Sequence, residues 1–206
     1  MVQASLKWCQ TEALLAYYES LGAKMNREDD FRIVELSKSD AYLSELRSRH
    51  STSDYYDVSV RRESGGWRIE LALRLFERIL EKEYKGRLFE DHVGEARVFV
   101  TLLGGRRVGW IELGYEGWNN RMRVWEFLVE EEFSRRGIGT LLMKHAVKVA
   151  KDRGARMLVL ETQSCIGPAI GFYLEFGFEL IGFDAAAYSN EDIERKEVRL
   201  ELGLKL

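Results

Sequence analysis

No stretch of this chain approaches the roughly 20 consecutive apolar residues that a membrane-spanning helix needs. Its apolar runs are of the size of Leu102-Leu103 and Met157 to Leu160. An apolar leader is missing too, because Lys7, Gln10, Glu12 and Glu19 interrupt the N-terminus, so the expected compartment is cytoplasmic and no membrane partner is expected. Cysteine is scarce. Cys9 and Cys165 make neither a disulfide framework nor a CxxC pair, and reduced thiols suit a cytosolic protein. His50, His92 and His145 lack metal-ligand spacing, and we expect no metal. No basic block is long enough to track a phosphate backbone, so no nucleic-acid partner is expected. Repeats and low-complexity tracts are absent as well.

What remains is the composition of a folded globular protein. The 206 residues are 46% hydrophobic and 32% charged, enough for one domain with a single core. The net charge of −3 is compatible with a cationic substrate.

Periodicity predicts the elements. Residues 4–22 read as a helix with Leu6, Leu14, Leu15, Tyr18 and Leu21 near one face and Gly22 as its stop. We treat 1–29 as an N-terminal helical extension, and 30–206 as the main domain. The apolar face of the extension needs burial, on the domain or on a second subunit; the latter would make a homodimer. Residues 31–36 read as a strand, 41–49 as a helix and 55–60 as a strand. In the next segment Trp67, Ile69, Leu71, Leu73 and Leu75 alternate as in a strand, whereas Leu71, Leu75 and Ile79 also fit a helix face. We read 67–75 as a strand followed by a short helix. Residues 96–103 and 106–115, joined by Gly104-Gly105, form the clearest hairpin. Strands over 121–129, 156–162, 178–183 and 196–204 and helices over 138–152 and 168–176 complete an α+β pattern.

The segment Val129-Glu130-Glu131-Glu132-Phe133-Ser134-Arg135-Arg136-Gly137-Ile138-Gly139-Thr140 leaves a strand, turns on glycine and enters an amphipathic helix. Free N–H groups at a helix start favour bound phosphate. Glycines let the backbone approach a ligand, and Arg135 and Arg136 add positive charge. This is chemistry for a pyrophosphate. A Walker loop would need Lys before Thr140, and a dinucleotide fingerprint a third glycine where Leu142 stands. The block Glu130-Glu131-Glu132 reads most simply as a solvated turn.

Glu126 interrupts the apolar strand Val124-Trp125-Glu126-Phe127-Leu128-Val129 just before this loop. A desolvated carboxylate there would be a base with a raised pKa, or would bind a substrate ammonium. A Glu facing solvent, or paired with Arg123, is the plainer alternative.

The loop resembles the pyrophosphate motif of the GNAT superfamily, Arg/Gln-x-x-Gly-x-Gly/Ala, at Val129, Gly137 and Gly139; Ser134 replaces the first residue. About 30 residues on, Ala169, Phe172, Tyr173, Gly177 and Phe178 match the family's Asn-x-x-Ala-x-x-Phe-Tyr-x-x-x-Gly-Phe block, with Ile166 in place of Asn. The stretches Leu160 to Gln163, Pro168-Ala169 and Gly182 to Asp184, with Tyr188, look like streptothricin acetyltransferases. The resemblance implies a GNAT fold, a mixed and mostly antiparallel sheet with helices on both faces and a splayed strand pair at the acetyl-coenzyme A site. It implies an acetyl-CoA-dependent N-acetyltransferase that passes acetyl directly to a primary amine of a small molecule in a ternary complex. The cofactor-binding residues would be Leu128, Val129, Arg135, Arg136, Gly137, Ile138, Gly139, Thr140 and Tyr173. Either arginine would supply the charge that Ser134 lacks. Tyr173 would be the general acid for the thiolate, and Phe172 a core residue. Glu112, Trp118, Asp184 and Tyr188 are candidates for a cationic substrate pocket. Cys165 reads as a small buried residue rather than a nucleophile. A non-catalytic acyl-CoA sensor on the same fold and a protein-lysine acetyltransferase are the competing readings.

Overall fold

The computed structural model describes residues 31–39 and 45–206. The expected helix over 4–22, and the extension 1–29 with it, lies outside the described residues. The element order is β1 (Arg32–Leu36), β2 (Glu45–Glu63), β3 (Gly66–Arg87), β4 (Arg97–Leu103), β5 (Arg106–Glu116), β6 (Arg121–Val129), α1 (Ile138–Asp152), β7 (Met157–Gln163), α2 (Gly167–Phe176), β8 (Glu179–Asp184), α3 (Asp192–Arg195) and β9 (Arg199–Lys205). Seven strands form one sheet in the order β1-β4-β5-β6-β7-β9-β8, and β2 and β3 form a separate two-stranded ribbon. Among the described strands only β6 and β7 pair in parallel. The connection between them must therefore be a crossover, which α1 supplies.

Helix α1 buries Ile138, Leu142, Met143, Ala146, Val149 and Ala150, one stripe at helical spacing, against Val108, Ile111, Leu113, Met122, Val124 and Leu158. Its close approach rests on Gly109 of β5. A Cβ there would lie 2.9 Å from Ile138 and 3.1 Å from Leu142. Gly154, with φ of +77°, ends the segment in a conformation that side chains disfavour. On the other face of the sheet Leu36, Val98, Val100 and Leu128 pack with Leu46 and Leu88 from the base of the ribbon. No described helix is long and apolar enough to cross a membrane.

The ribbon corrects two expectations. Residues 45–49, read as part of a helix, are strand, and so is the segment after Leu75, read as a short helix. The two strands pair from Glu45–Arg87 to Glu63–Gly66 with one bulge between Thr52 and Asp54. Leu71, Leu75 and Ile79 satisfy both periods, and cross-strand pairing over this length decides for the strand. The ribbon is fastened at mid-length. Val58 is buried with Ile170, Val198 and Leu200, and the Tyr56 amide donates to the Ser164 carbonyl at 2.8 Å. The Asp54 carboxylate lies against the backbone of Gly167, where a Cβ would overlap it. The turn of helix α3, absent from the sequence reading, precedes β9, which begins at Arg199 rather than near 196.

Candidate active site

Strands β6 and β7 pair only from Arg121–Met157 to Val124–Leu160. Both continue, β6 to Val129 and β7 to Gln163, but apart. Residues 125–129 keep β5 on one side and have no described strand on the other. This gap holds Leu128 and Val129, and backbone polar groups along it are open to a ligand.

A bulge aims the side chains at the gap. Val124 lies opposite Leu113, and Glu126 lies opposite Glu112, so Trp125 is the extra residue on β6. Met122 and Val124 face the α1 side of the sheet, and after the bulge Phe127 and Val129 do so. Glu126 and Leu128 are thereby turned to the ribbon side, where Leu128 is buried.

There Glu126 accepts a 2.5 Å hydrogen bond from the Tyr84 hydroxyl of β3. Burial pushes its carboxyl up to about 7; the Tyr84 bond opposes the rise, and the neighbouring Glu112 and Glu90 charges add to it. Glu112 is fully buried. One of its oxygens accepts from the Phe89 amide at 2.7 Å, and the other has no protein partner among the described residues. Burial raises its pKa as well. Gly86 makes room for the contact, since a Cβ would stand 2.6 Å from the Tyr84 hydroxyl and 2.7 Å from the Glu126 carboxylate. Arg123 is not the partner of Glu126. It pairs with Glu116 at 2.6 Å and Glu201 at 3.4 Å.

Two clefts open between ribbon and sheet. One of about 790 Å³ is lined by Arg47, Tyr84, Leu128 and Glu130. The other, about 430 Å³, shares Tyr84 and reaches Glu90 and Glu126.

At the end of β6 a single 3₁₀ turn, Glu131–Phe133, leads to Ser134 and then to two residues of left-handed backbone, Arg135 (φ +58°) and Gly137 (φ +82°). The first α1 bond runs from the Leu141 amide to the Gly137 carbonyl at 2.9 Å. The amides of Ile138, Gly139 and Thr140 therefore have no acceptor within the helix. These groups, with exposed Arg135 and Arg136, could hold a diphosphate. The Arg136 guanidinium sits 5.7 Å over the Phe31 ring and 5.6 Å over Phe133. The acidic block is more than a solvated turn, because Arg106 bridges Glu130 and Glu132.

Tyr173 of α2 is buried on the α1 side, its ring 6.2 Å from Phe127 and 5.9 Å from Phe178. Phe172 stacks on Phe127 at 5.8 Å. Adjacent residues of β6 thus reach opposite ways, Phe127 to Tyr173 and Glu126 to Tyr84. Burial raises the Tyr173 phenol well above its ordinary value.

Of the four substrate candidates, only Glu112 meets Glu126. Trp118, 85% exposed, stands beyond the start of β6, at the end away from the loop. Asp184 closes a local turn by accepting from the Ala186 amide, and the Tyr188 amide donates to the buried Asp192. Cys165 is a free, buried thiol. The sequence reading missed Tyr84, Gly86 and Glu90. The only local signal was an aromatic within the charged run Glu81 to Arg87.

The profile of the acetyltransferase (GNAT) family matches residues 61–178. Streptothricin acetyltransferase of Streptomyces lavendulae is 35% identical over 100 residues, 48% of this chain and 53% of that protein. Streptothricin acetyltransferase A of Bacillus subtilis (strain 168) is 29% identical over 102 residues, 50% of this chain and 58% of that one. The matched region thus spans little more than half the length of each relative. Among solved structures, nourseothricin acetyltransferase superposes with a TM-score of 0.68 at 28% identity, covering 85% of this chain and 98% of that one. The acetyl coenzyme A complex of a candidate streptothricin acetyltransferase from Bacillus anthracis str. Ames shares the fold, with a TM-score of 0.68 at 21% identity over 87% of this chain and 99% of that one. The family profile covers more than half of the chain, on the strands, loop and helices that build the gap in the sheet, and the chain belongs to the GNAT family of acetyltransferases.

Proposed function

We propose that the protein transfers acetyl from acetyl-CoA to a primary amine of a small molecule, directly, in a ternary complex. The observation that carries this reading is Glu126. A carboxylate with its pKa near 7, bonded to Tyr84, lies on the β6 segment whose other edge is unpaired. A base so tuned works at neutral pH. In the reading, the diphosphate lies on the amides after Gly137 and the pantetheine arm follows the free edge at Leu128 and Val129. An N–H there polarises the thioester carbonyl. The amine nitrogen attacks that carbon and the C–S bond breaks. The amine proton passes to Glu126, and the leaving thiolate takes the proton of Tyr173. Burial keeps the Tyr173 phenol protonated until the thiolate forms.

The names of the relatives support a small amine. So does the ribbon, which stands over the Glu126 side of the sheet and narrows the room for a peptide. The departures at Ser134 and Ile166 favour the sensor reading instead. Turnover of acetyl-CoA against polyamines, lysine-like compounds and streptothricin-type antibiotics decides between them. Acetylation of at least one small amine is the expected result. Tight acetyl-CoA binding with no turnover on any of them or on a lysine-bearing peptide would favour the sensor.

A further inference from the structure

Strand β3 has two edges, and among the described residues only one is used. It pairs with β2 along its length, and no other described strand pairs with it. An unpaired edge of this length is a template for another strand unless something covers it. Its side chains invite cover as well. Opposite residues of the ribbon share a face, so Val60, Val58 and Tyr56 stand with Ile69, Leu71 and Leu73. Helix α2 and β9 cover the β2 half of that face through Ile170, Val198 and Leu200. Of the β3 half only Leu71 reaches that cluster, and the rest stays open: Trp67 is 69% exposed, Leu73 57% and Leu75 77%. The reverse face is polar, with Arg68, Glu70 and Arg74 exposed.

We propose that a second copy of this chain docks on β3, edge to edge and antiparallel, about a two-fold axis at Ala72. The charge pattern selects both the occupant and the register. About an axis at Ala72, Ile69 faces the partner's Leu75 and Leu71 faces the partner's Leu73. Glu70 then faces the partner's Arg74, and symmetry repeats every pair. Glu70 and Arg74 are the only charged residues between 69 and 75, and neither forms an ion pair among the described residues. Moving the axis one residue fails. At Leu71 it opposes Arg68 with the partner's Arg74, and at Leu73 it opposes Arg68 with the partner's Arg78. Like charges directly opposite destabilise a sheet. With the axis normal to the ribbon, the two apolar rows lie on one side and merge.

The test is a charge swap in the full chain, read by sedimentation equilibrium at low salt. The parent is expected to be a dimer. Glu70→Arg and Arg74→Glu each set like charges opposite one another twice, and each should weaken dimerisation about tenfold or more. The double variant Glu70→Arg with Arg74→Glu exchanges the signs and should recover the parent's dissociation constant. Both charge-swap sites, Glu70 and Arg74, are exposed, and circular dichroism checks that each variant is folded. As an independent measure, Ala72→Cys should form a disulfide-linked dimer on mild oxidation. A parent that stays monomeric, single variants that dimerise like the parent, or a double variant that fails to recover overturns the proposal.

Discussion

The hydroxyl of Tyr84, on the ribbon, donates to Oε2 of Glu126, on the central sheet, across 2.5 Å. This bond stabilises the charged carboxylate and so holds the Glu126 pKa below where burial alone would put it. If Glu126 is the base, activity rises with pH through about 7, because the base must be unprotonated to accept. Removing the donor in Tyr84→Phe takes away a lowering influence, and the rising limb should move to higher pH. Gly86→Ala should act in the same direction, since its methyl would force the two groups apart. The pH profile of kcat/KM measures both, and an unmoved limb in Tyr84→Phe would show that the base is elsewhere.

Stability should report the same carboxyl. Its folded pKa of about 7 lies above its ordinary 4.5. Between those values the folded state binds the extra proton, so this group's contribution to stability is greatest below about 4.5 and falls as pH rises. Above about 7 the whole cost of the buried charge is present. Glu126→Gln keeps an acceptor for Tyr84 and removes the charge. It should be more stable than the parent at pH 8, with the difference fading toward pH 4. Urea denaturation at the two pH values measures this, and equal differences at both would contradict it.

The loop makes its own prediction. Nothing crowds a side chain at Gly137, but its φ of +82° disfavours a β-branched one and the bulk would meet an incoming diphosphate. Gly137→Val should therefore abolish measurable acetyl-CoA binding by calorimetry. A charge-assisted contact to phosphate is worth about 1.5–3 kcal/mol. Replacing Arg135 and Arg136 together with Ala should weaken binding about tenfold or more by that measure. A double variant that binds normally would leave the backbone amides as the whole site.

Tyr173→Phe removes one oxygen from a ring packed against Phe127 and Phe178. Positioned acids contribute roughly 10²–10⁴-fold in rate, and turnover should fall within that range while acetyl-CoA affinity holds. Full turnover in this variant would make Tyr173 a packing residue.

Much of the fold is legible in the sequence. The hairpin of β4 and β5 and the segment from β6 to α2 carry clean periods and glycine stops, and the diphosphate role proposed for the loop follows from its order. Glu126 was visible as a charge in an apolar strand. Its surroundings were not, because they depend on register. The bulge at Trp125 decides which face Glu126 takes, and the pairing of β5 with β6 sets Glu112 opposite it. The strands over 55–60 and 67–75 read as such, but the base of the ribbon reads as helix, because Leu71, Leu75 and Ile79 answer to two periods and Glu81 to Arg87 carries a charge run that suits a helix surface equally well. Tyr84 could be found only once β3 extended to Arg87 and brought it over β6.

The gap between β6 and β7 has one more consequence. An exposed strand edge commonly invites other proteins, and sheets guard against that by placing their open edges with care. The open edge at 125–129 is interior: β5 borders it, β7 and β9 lie beyond, and the aromatic rings of Phe127, Phe172 and Tyr173 wall one side. A strand from another molecule, with side chains every second residue on both faces, would have to thread that slot. A slender arm without side chains would not. The fold can thus leave an edge without a strand partner in its middle and still guard it against strand addition, admitting guests by their thickness.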